Sequence, residues 1–172
     1  MLTSTATPTP RIGLQTEITK SYLIVAQSDS YFGIELSALR EVTPLREVKI
    51  TAVPNTCSLV KGVFNLRGEI LAVADFGDTI GSTPTLDYHD ASRIVVLEIT
   101  PTMDLRDDAI RFGLAVNQVM GVVSLQVDRI ASAAEVGSKL TPILQGLYPW
   151  EGRLLMLLDS SAIADLLAES AC

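Results

Sequence analysis

Few residues in this chain could do covalent or acid–base chemistry. Nucleophilic catalysis needs a neighbouring base, and the single histidine, His89, lies in the polar stretch HDAS, where a solvated loop residue is the simplest reading. Asp75 and Asp159 each close an apolar run. As a pair they could do general acid–base work; as a repeated position they read better as caps of the turn or helix that follows. Cys57 and Cys172 have no CxxC spacing and only one histidine to join them, so no metal site is expected. Two reduced thiols are the plainer reading, with a disulfide left open. There is no G-x-S-x-G elbow, and KGVFNLRG lacks the GK[ST] ending of a phosphate-binding loop. A response-regulator phosphoacceptor would need alternating strands and helices with an early acidic cluster, and neither is present. No enzyme is visible, and no cofactor is expected.

The elements that hold these residues are written twice. FGIELSALREV (32–42) matches FGLAVNQVMGV (112–122) at an offset of 80 residues, and GVFNLRGEILAVADF (62–76) matches GLYPWEGRLLMLLDS (146–160) at an offset of 84. Gly62, Gly68, Leu71 and Asp75 correspond to Gly146, Gly152, Leu155 and Asp159. The spacing is too long for a solenoid of roughly 20–50-residue units. It fits two small, similar subdomains that share a core, because each alone would bury little surface.

Within each copy the pattern is short apolar runs separated by turn residues. YLIVAQ and YFGIEL flank the turn SDS as a hairpin. REVTPLREVKITAV alternates, with Pro44 marking an edge strand or a bulge. PNTCSLVKG suggests a turn and one helical turn, and EILAVADF a strand. GDTIGSTPTLDYHDAS (77–92) reads as a linker. RIVVLEI, RFGLAV, GVVSLQV and RLLMLLD are further strands, PTMDLRDDA a polar hairpin loop, and ASAAEVGSKLTPILQ irregular or partly helical. Serines followed by apolar residues at 163, 166 and 167 predict a C-terminal amphipathic helix over about 160–169. Residues 1–17, rich in Ser, Thr and Pro, read as a mobile tail.

At 172 residues and 48% hydrophobic, the chain can bury a core made chiefly of Val, Leu and Ile. Its net charge of −7, with basic residues scattered, argues against nucleic acid and against an anionic membrane surface. The N-terminus lacks a signal-peptide pattern, and no run approaches the roughly 18 apolar residues of a membrane span. A cytoplasmic protein is expected.

The stretch KGVFNLRGEILAVADF resembles the signature of the CheW family of chemotaxis coupling proteins, most specifically at NLRG. FGIELSALREV, the VPN before the expected helical turn, RFGLAVNQVMGVVSL and GRLLMLLDSSAIADLL agree in order, so the resemblance spans about residues 18–169. It implies an all-β fold with short helices: two intertwined, SH3-like, five-stranded β-barrels and a C-terminal helix. The first barrel is expected over about 18–85, the second over about 86–159 and the helix over about 160–169. The implied function is a non-catalytic adaptor. It would join the cytoplasmic tip of a chemoreceptor to the regulatory domain of a CheA-type histidine kinase, with recruitment to membrane-associated receptor clusters. A pilus-driven taxis pathway is the alternative setting, and a β-barrel enzyme using Asp75 or Asp159 the alternative class.

The resemblance points to Asn65, Leu66 and Arg67 as receptor-binding residues, set in a turn between Gly62 and Gly68. The second copy has Glu151 where the first has Arg67, an asymmetry that suggests one specialised turn. An arginine fork suits a helix's carboxylates or carbonyls, against which stands an internal salt bridge to Glu69 or Glu41. Leu39, Arg40, Glu41 and Val42 are the implied kinase-binding edge, against which stands ordinary strand alternation. Gly33, Gly62, Gly68, Gly113 and Gly152 read as backbone requirements. Two departures from the family pattern bear on shape. Ala72 stands where proline is usual, implying a less bent strand, and Asn117 stands where aspartate is common, implying an altered turn bond.

Overall fold

Runs such as YLIVA and IVVL place large apolar residues at consecutive positions, which a strand can bury only if both of its faces are covered. The computed structural model shows how both faces are covered. It describes residues 17–56, 58–85, 90–100, 109–134 and 140–169. Cys57, His89, Cys172, most of the expected N-terminal tail and most of the PTMDLRDDA loop lie outside the described residues.

Ten strands form two five-stranded sheets. The first half contributes β1 (Thr19–Gln27), β2 (Ser30–Glu35), β3 (Leu39–Pro44), β4 (Val60–Leu66) and β5 (Glu69–Asp75). The second contributes β6 (Arg93–Ile99), β7 (Ile110–Val116), β8 (Gln118–Gln126), β9 (Leu144–Trp150) and β10 (Arg153–Leu158). One sheet has the order β8-β1-β2-β10-β9 and the other β3-β6-β7-β5-β4. Each therefore combines the first two strands of one half with the last three of the other. The division expected near residue 85 does not separate the sheets; the halves exchange strands across it.

The exchange is reciprocal to the residue. The parallel pair β2–β10 sets Gly33 opposite Leu157, and the parallel pair β5–β7 sets Gly113 opposite Val73. These are the positions related by the offsets of 80 and 84. Neither glycine has room for a side chain: a Cβ would meet Leu157 Cδ2 at 2.7 Å from Gly33, and Ile94 Cγ2 at 2.7 Å from Gly113.

Three cores result. Tyr22, Ile24, Leu155 and Leu157 pack within the first sheet. Phe64, Leu71, Val73, Ile94 and Val96 pack within the second. The intervening residues Leu23, Val25, Val95, Leu97, Phe112 and Leu158 meet in a larger core shared between the sheets. Alternate residues of one strand thus enter different cores, which accounts for the unbroken apolar runs.

Three local expectations are corrected. The alternation read over 40–53 does not run through as strand: β3 ends at Pro44, after which the chain makes a 3₁₀ turn, Leu45–Glu47, that sinks Leu45 completely. Leu45 N donates to Ser92 O at 3.0 Å. The GVFNL and GLYPW runs, not assigned as strands above, form β4 and β9; their Asn65 and Pro149 interrupt the pattern on the exposed face. The 77–92 segment begins as structure rather than linker, with a short helix α1 (Phe76–Thr79) whose Phe76 and Gly77 are buried. The predicted C-terminal helix is present as α2 (Ser160–Glu169).

Candidate interaction surface

β3 is an edge strand, as Pro44 suggested, since a proline cannot donate to a further ladder. Leu39 and Val42 turn inward and pack against the shared core, whereas Arg40 is exposed and Glu41 half-buried. Two of the four residues therefore serve packing, both facing inward because the β3–β6 register shifts between Leu39 and Glu41. A carboxylate at position 39 would reach the core boundary, so its effects mix docking with stability.

Asn65 and Leu66 are the last residues of β4 and not turn residues. The turn is the two-residue loop Arg67–Gly68, closed by Leu66 opposite Glu69. Both φ angles are positive, 53° and 93°, the type I′ geometry that suits the twist of a hairpin. Asn65 Oδ1 accepts from Gly68 N at 2.8 Å and fixes the loop. Leu66 packs against the inner core of its sheet. The sister turn repeats the backbone, with Glu151 at 47° and Gly152 at 72°. Neither Arg nor Glu is favoured in this left-handed region, so the backbone does not select arginine over glutamate.

The structure brings the two expected binding elements together. Arg67 Nη2 lies 3.0 Å from Glu41 Oε1. The internal salt bridge that competed with the binding role therefore exists, to Glu41. The arginine side chain nevertheless remains 79% exposed, where such pairs contribute about 0–1 kcal/mol. One cleft of about 270 Å³ runs between Arg40 and Glu41 on one side and Leu66, Arg67 and Glu69 on the other.

A row of alternating charges runs along the cleft and beyond it in strand order: Arg40 on β3, Glu98 on β6, Arg111 on β7 and Glu69 on β5, of which Glu98 lies outside the cleft lining. Arg40 Nη2 reaches Glu98 Oε1 at 2.6 Å, Arg111 also donates to Glu98, and Arg111 Nη1 lies 3.0 Å from Glu69 Oε2. Hydrogen bonds from Arg40, then from Arg111, hold the Glu98 carboxyl down at about 2. A depressed folded-state value means that the stabilisation is complete above the ordinary carboxylate range and is lost as pH falls toward 2. The stability difference between wild type and Glu98→Gln, followed by chemical denaturation, is expected to shrink from pH 5 to pH 2. A difference independent of pH over that range would refute the assignment.

Glu69, Glu98 and Arg111 were not singled out from the sequence. Glu98 and Arg111 are cross-strand neighbours in the β6–β7 register, a pairing readable only once that hairpin is registered. The aspartates behave as repeated caps. Asp75 Oδ1 accepts from Asp78 N at 3.2 Å, and Asp159 Oδ1 from Ser161 N and Ala162 N at 3.0 and 3.1 Å.

A second groove, of about 380 Å³, lies beside α2 over β4, β5 and β7. The duplication explains it. Val60, Val63, Ala72 and Ala74 line it where the sister sheet has Leu144, Leu147, Met156 and Leu158. Its walls are chiefly apolar and offer contact rather than acid–base chemistry.

The chain was compared with known proteins. A "Chemotaxis protein CheW" from Klebsiella aerogenes is 28% identical over 141 residues, covering 81% of this chain and 78% of that protein. One of the same name from Thermotoga maritima is 28% identical over 116 residues, covering 67% and 70%. The crystal structure of the scaffolding protein TtCheW from Thermoanaerobacter tengcongensis superposes with a TM-score of 0.70 at 22% identity, over 83% of this chain and 90% of that one. The duplicated sequence and exchanged sheets agree with that fold. The CheW-like domain model matches residues 21–168, nearly all of the described structure, and the chain belongs to the CheW-like domain family.

Proposed function

We propose that this protein is a non-catalytic adaptor of chemotaxis signalling, joining the cytoplasmic tip of a chemoreceptor to the regulatory domain of a CheA-type histidine kinase. The family match over residues 21–168 carries this reading. Asn65, Leu66 and Arg67 form the receptor-binding turn in this proposal, with Arg67 as its polar anchor. Leu39, Arg40, Glu41 and Val42 form the kinase-binding edge. Arg40 and Glu41 supply its outward contacts, while Leu39 and Val42 hold the strand against the core. The Glu41–Arg67 pair sets the two proposed surfaces side by side. The adaptor works in the cytoplasm at receptor clusters. Among the described residues no helix is long and apolar enough to cross a membrane.

Calorimetric titration with the regulatory domain of the cognate kinase tests the kinase half. Binding near micromolar, about −8 kcal/mol, is expected for wild type. Arg40→Glu reverses a half-exposed charge and sets a second carboxylate beside Glu98; it is expected to weaken binding about tenfold or more, with circular dichroism checking that the protein stays folded. Leu39→Asp is expected to abolish binding, with circular dichroism checking its fold. Full-strength binding by a folded Arg40→Glu protein would remove this edge from the interface.

A further inference from the structure

Gln27 ends β1 with its side chain fully buried, although the preceding residues give no reason for a polar group there. Three of the four hydrogen bonds open to its carboxamide are made, all to segments outside its own strand. Nε2 donates to Thr83 O at 3.1 Å. Oε1 accepts from Thr85 Oγ1 and from Asn117 N, each at 3.1 Å. Thr85, itself buried, donates its amide to both oxygens of Asp75, at 3.0 and 2.7 Å.

These partners come from the other sheet's connections. Asp75 ends β5, Thr83 and Thr85 belong to the segment after α1, and Asn117 is where the chain crosses from β7 in one sheet to β8 in the other. The strap 77–85 therefore leaves one sheet and is fastened to the β1–β2 end of the other. Ser82 Oγ adds a 2.6 Å hydrogen bond to Ser28 Oγ in the β1–β2 turn. Gly77 makes the fit possible, since a Cβ there would lie 2.0 Å from Thr83 O and 2.7 Å from Gln27 Nε2. The duplication supplies an internal control. The residue equivalent to Gln27 at the end of β6 is Ile99, which packs into the shared core. The node was built on one side only.

We propose that the Gln27 node is a latch that sets the orientation of one sheet relative to the other. The shared core between the sheets is apolar, and apolar packing is not directional, so it tolerates small shifts between them. A buried carboxamide that must satisfy three fixed partners does not, because an unpaired buried polar group is costly. Releasing the latch frees the strap and the β7–β8 crossover while both sheets keep their own cores. This inference is independent of which partners the protein binds.

Gln27→Leu keeps the side chain's bulk and removes its hydrogen bonds. Native-state hydrogen exchange is expected to show the Thr85 and Asn117 amides opening at least about tenfold more than mid-strand amides such as Ile24 and Val95, as for local rather than global unfolding. Residual dipolar couplings from the two sheets, which fit one alignment tensor in wild type, are expected to require two. Thr85→Val, which removes only the hydroxyl, is expected to give the same pattern more weakly and serves if Gln27→Leu does not fold. Uniform acceleration of all amides with a single retained tensor would reduce Gln27 to an ordinary stabilising contact and overturn the latch.

Discussion

Replacing Gly62 by valine is expected to cost about 3 kcal/mol or more of folding stability. Gly62 lies in β4 where the chain from the 3₁₀ turn at Leu45 passes over it, joined by the Thr51–Val63 bridge. A Cβ at Gly62 would sit 2.4 Å from Thr51 O and 2.9 Å from Thr51 C, which is backbone and cannot rotate away. Its φ of 153° adds strain for any L side chain. Overpacking of this kind alone costs about 1–3 kcal/mol, and a strained conformation about 1–3 more. Gly68→Ala is the matched control: φ is 93°, yet nothing lies within 4 Å of the added carbon. It should lose only about 1 kcal/mol, from the turn alone. Urea denaturation of both variants measures the contrast, and equal losses would show that the close approach at Gly62 relaxes freely. The sister position shares the close approach but not the strained φ: a Cβ at Gly146 would meet Ile130 Cγ2 at 2.4 Å and Ala131 O at 2.8 Å beside the Ala131–Leu147 bridge.

Arg67→Glu is expected to weaken binding of the receptor tip by about 1–3 kcal/mol, the range for a charge-assisted hydrogen bond, or roughly 5- to 150-fold. Melting should fall by no more than about 2–4 °C, since the pair with Glu41 is exposed and worth at most about 1 kcal/mol. Reversal leaves two carboxylates facing each other, so binding could suffer through the shape of the cleft instead of the lost contact. The double variant Glu41→Arg with Arg67→Glu separates these causes, because it restores an ion pair with its polarity reversed. If Arg67 touches the receptor, the double variant stays weak. Recovery of binding would mean that the partner reads the geometry of the pair. A collapse in melting temperature for the single variant would make the salt bridge structural.

The hairpin tip was legible because a type I′ loop demands positive φ at two adjacent residues, and Gly68 and Gly152 at the same place in both copies announced it. Its flanks were less so: Asn65 and Leu66 belong to β4, where one braces the loop and the other fills a core. The β3 edge was visible in Pro44. The charge row was not, since Glu98 and Arg111 lie on opposite sides of a long connection and meet only through the hairpin register. Gln27 gave no signal, because one polar residue ending an apolar run is usually solvated.

What the sequence determined by itself was the duplication, the all-β class, the apolar runs of strands buried on both faces, the capping aspartates and the C-terminal helix. All of these follow from local pattern or from self-similarity. Which hairpin pairs with which strand was decided only in three dimensions. Two halves with matching patterns offer each β5-type strand two equivalent parallel partners, one in its own half and one in the other. Local pattern is the same for both choices, so it cannot distinguish them. The shared core, the strap held by Gln27 and the steric fit of Gly33 against Leu157 and of Gly113 against Phe64 belong to the exchanged arrangement. The fold of that sheet also brings Arg67, in the β4–β5 turn, to Glu41 on β3 and makes one cleft of two surfaces that the sequence presented separately.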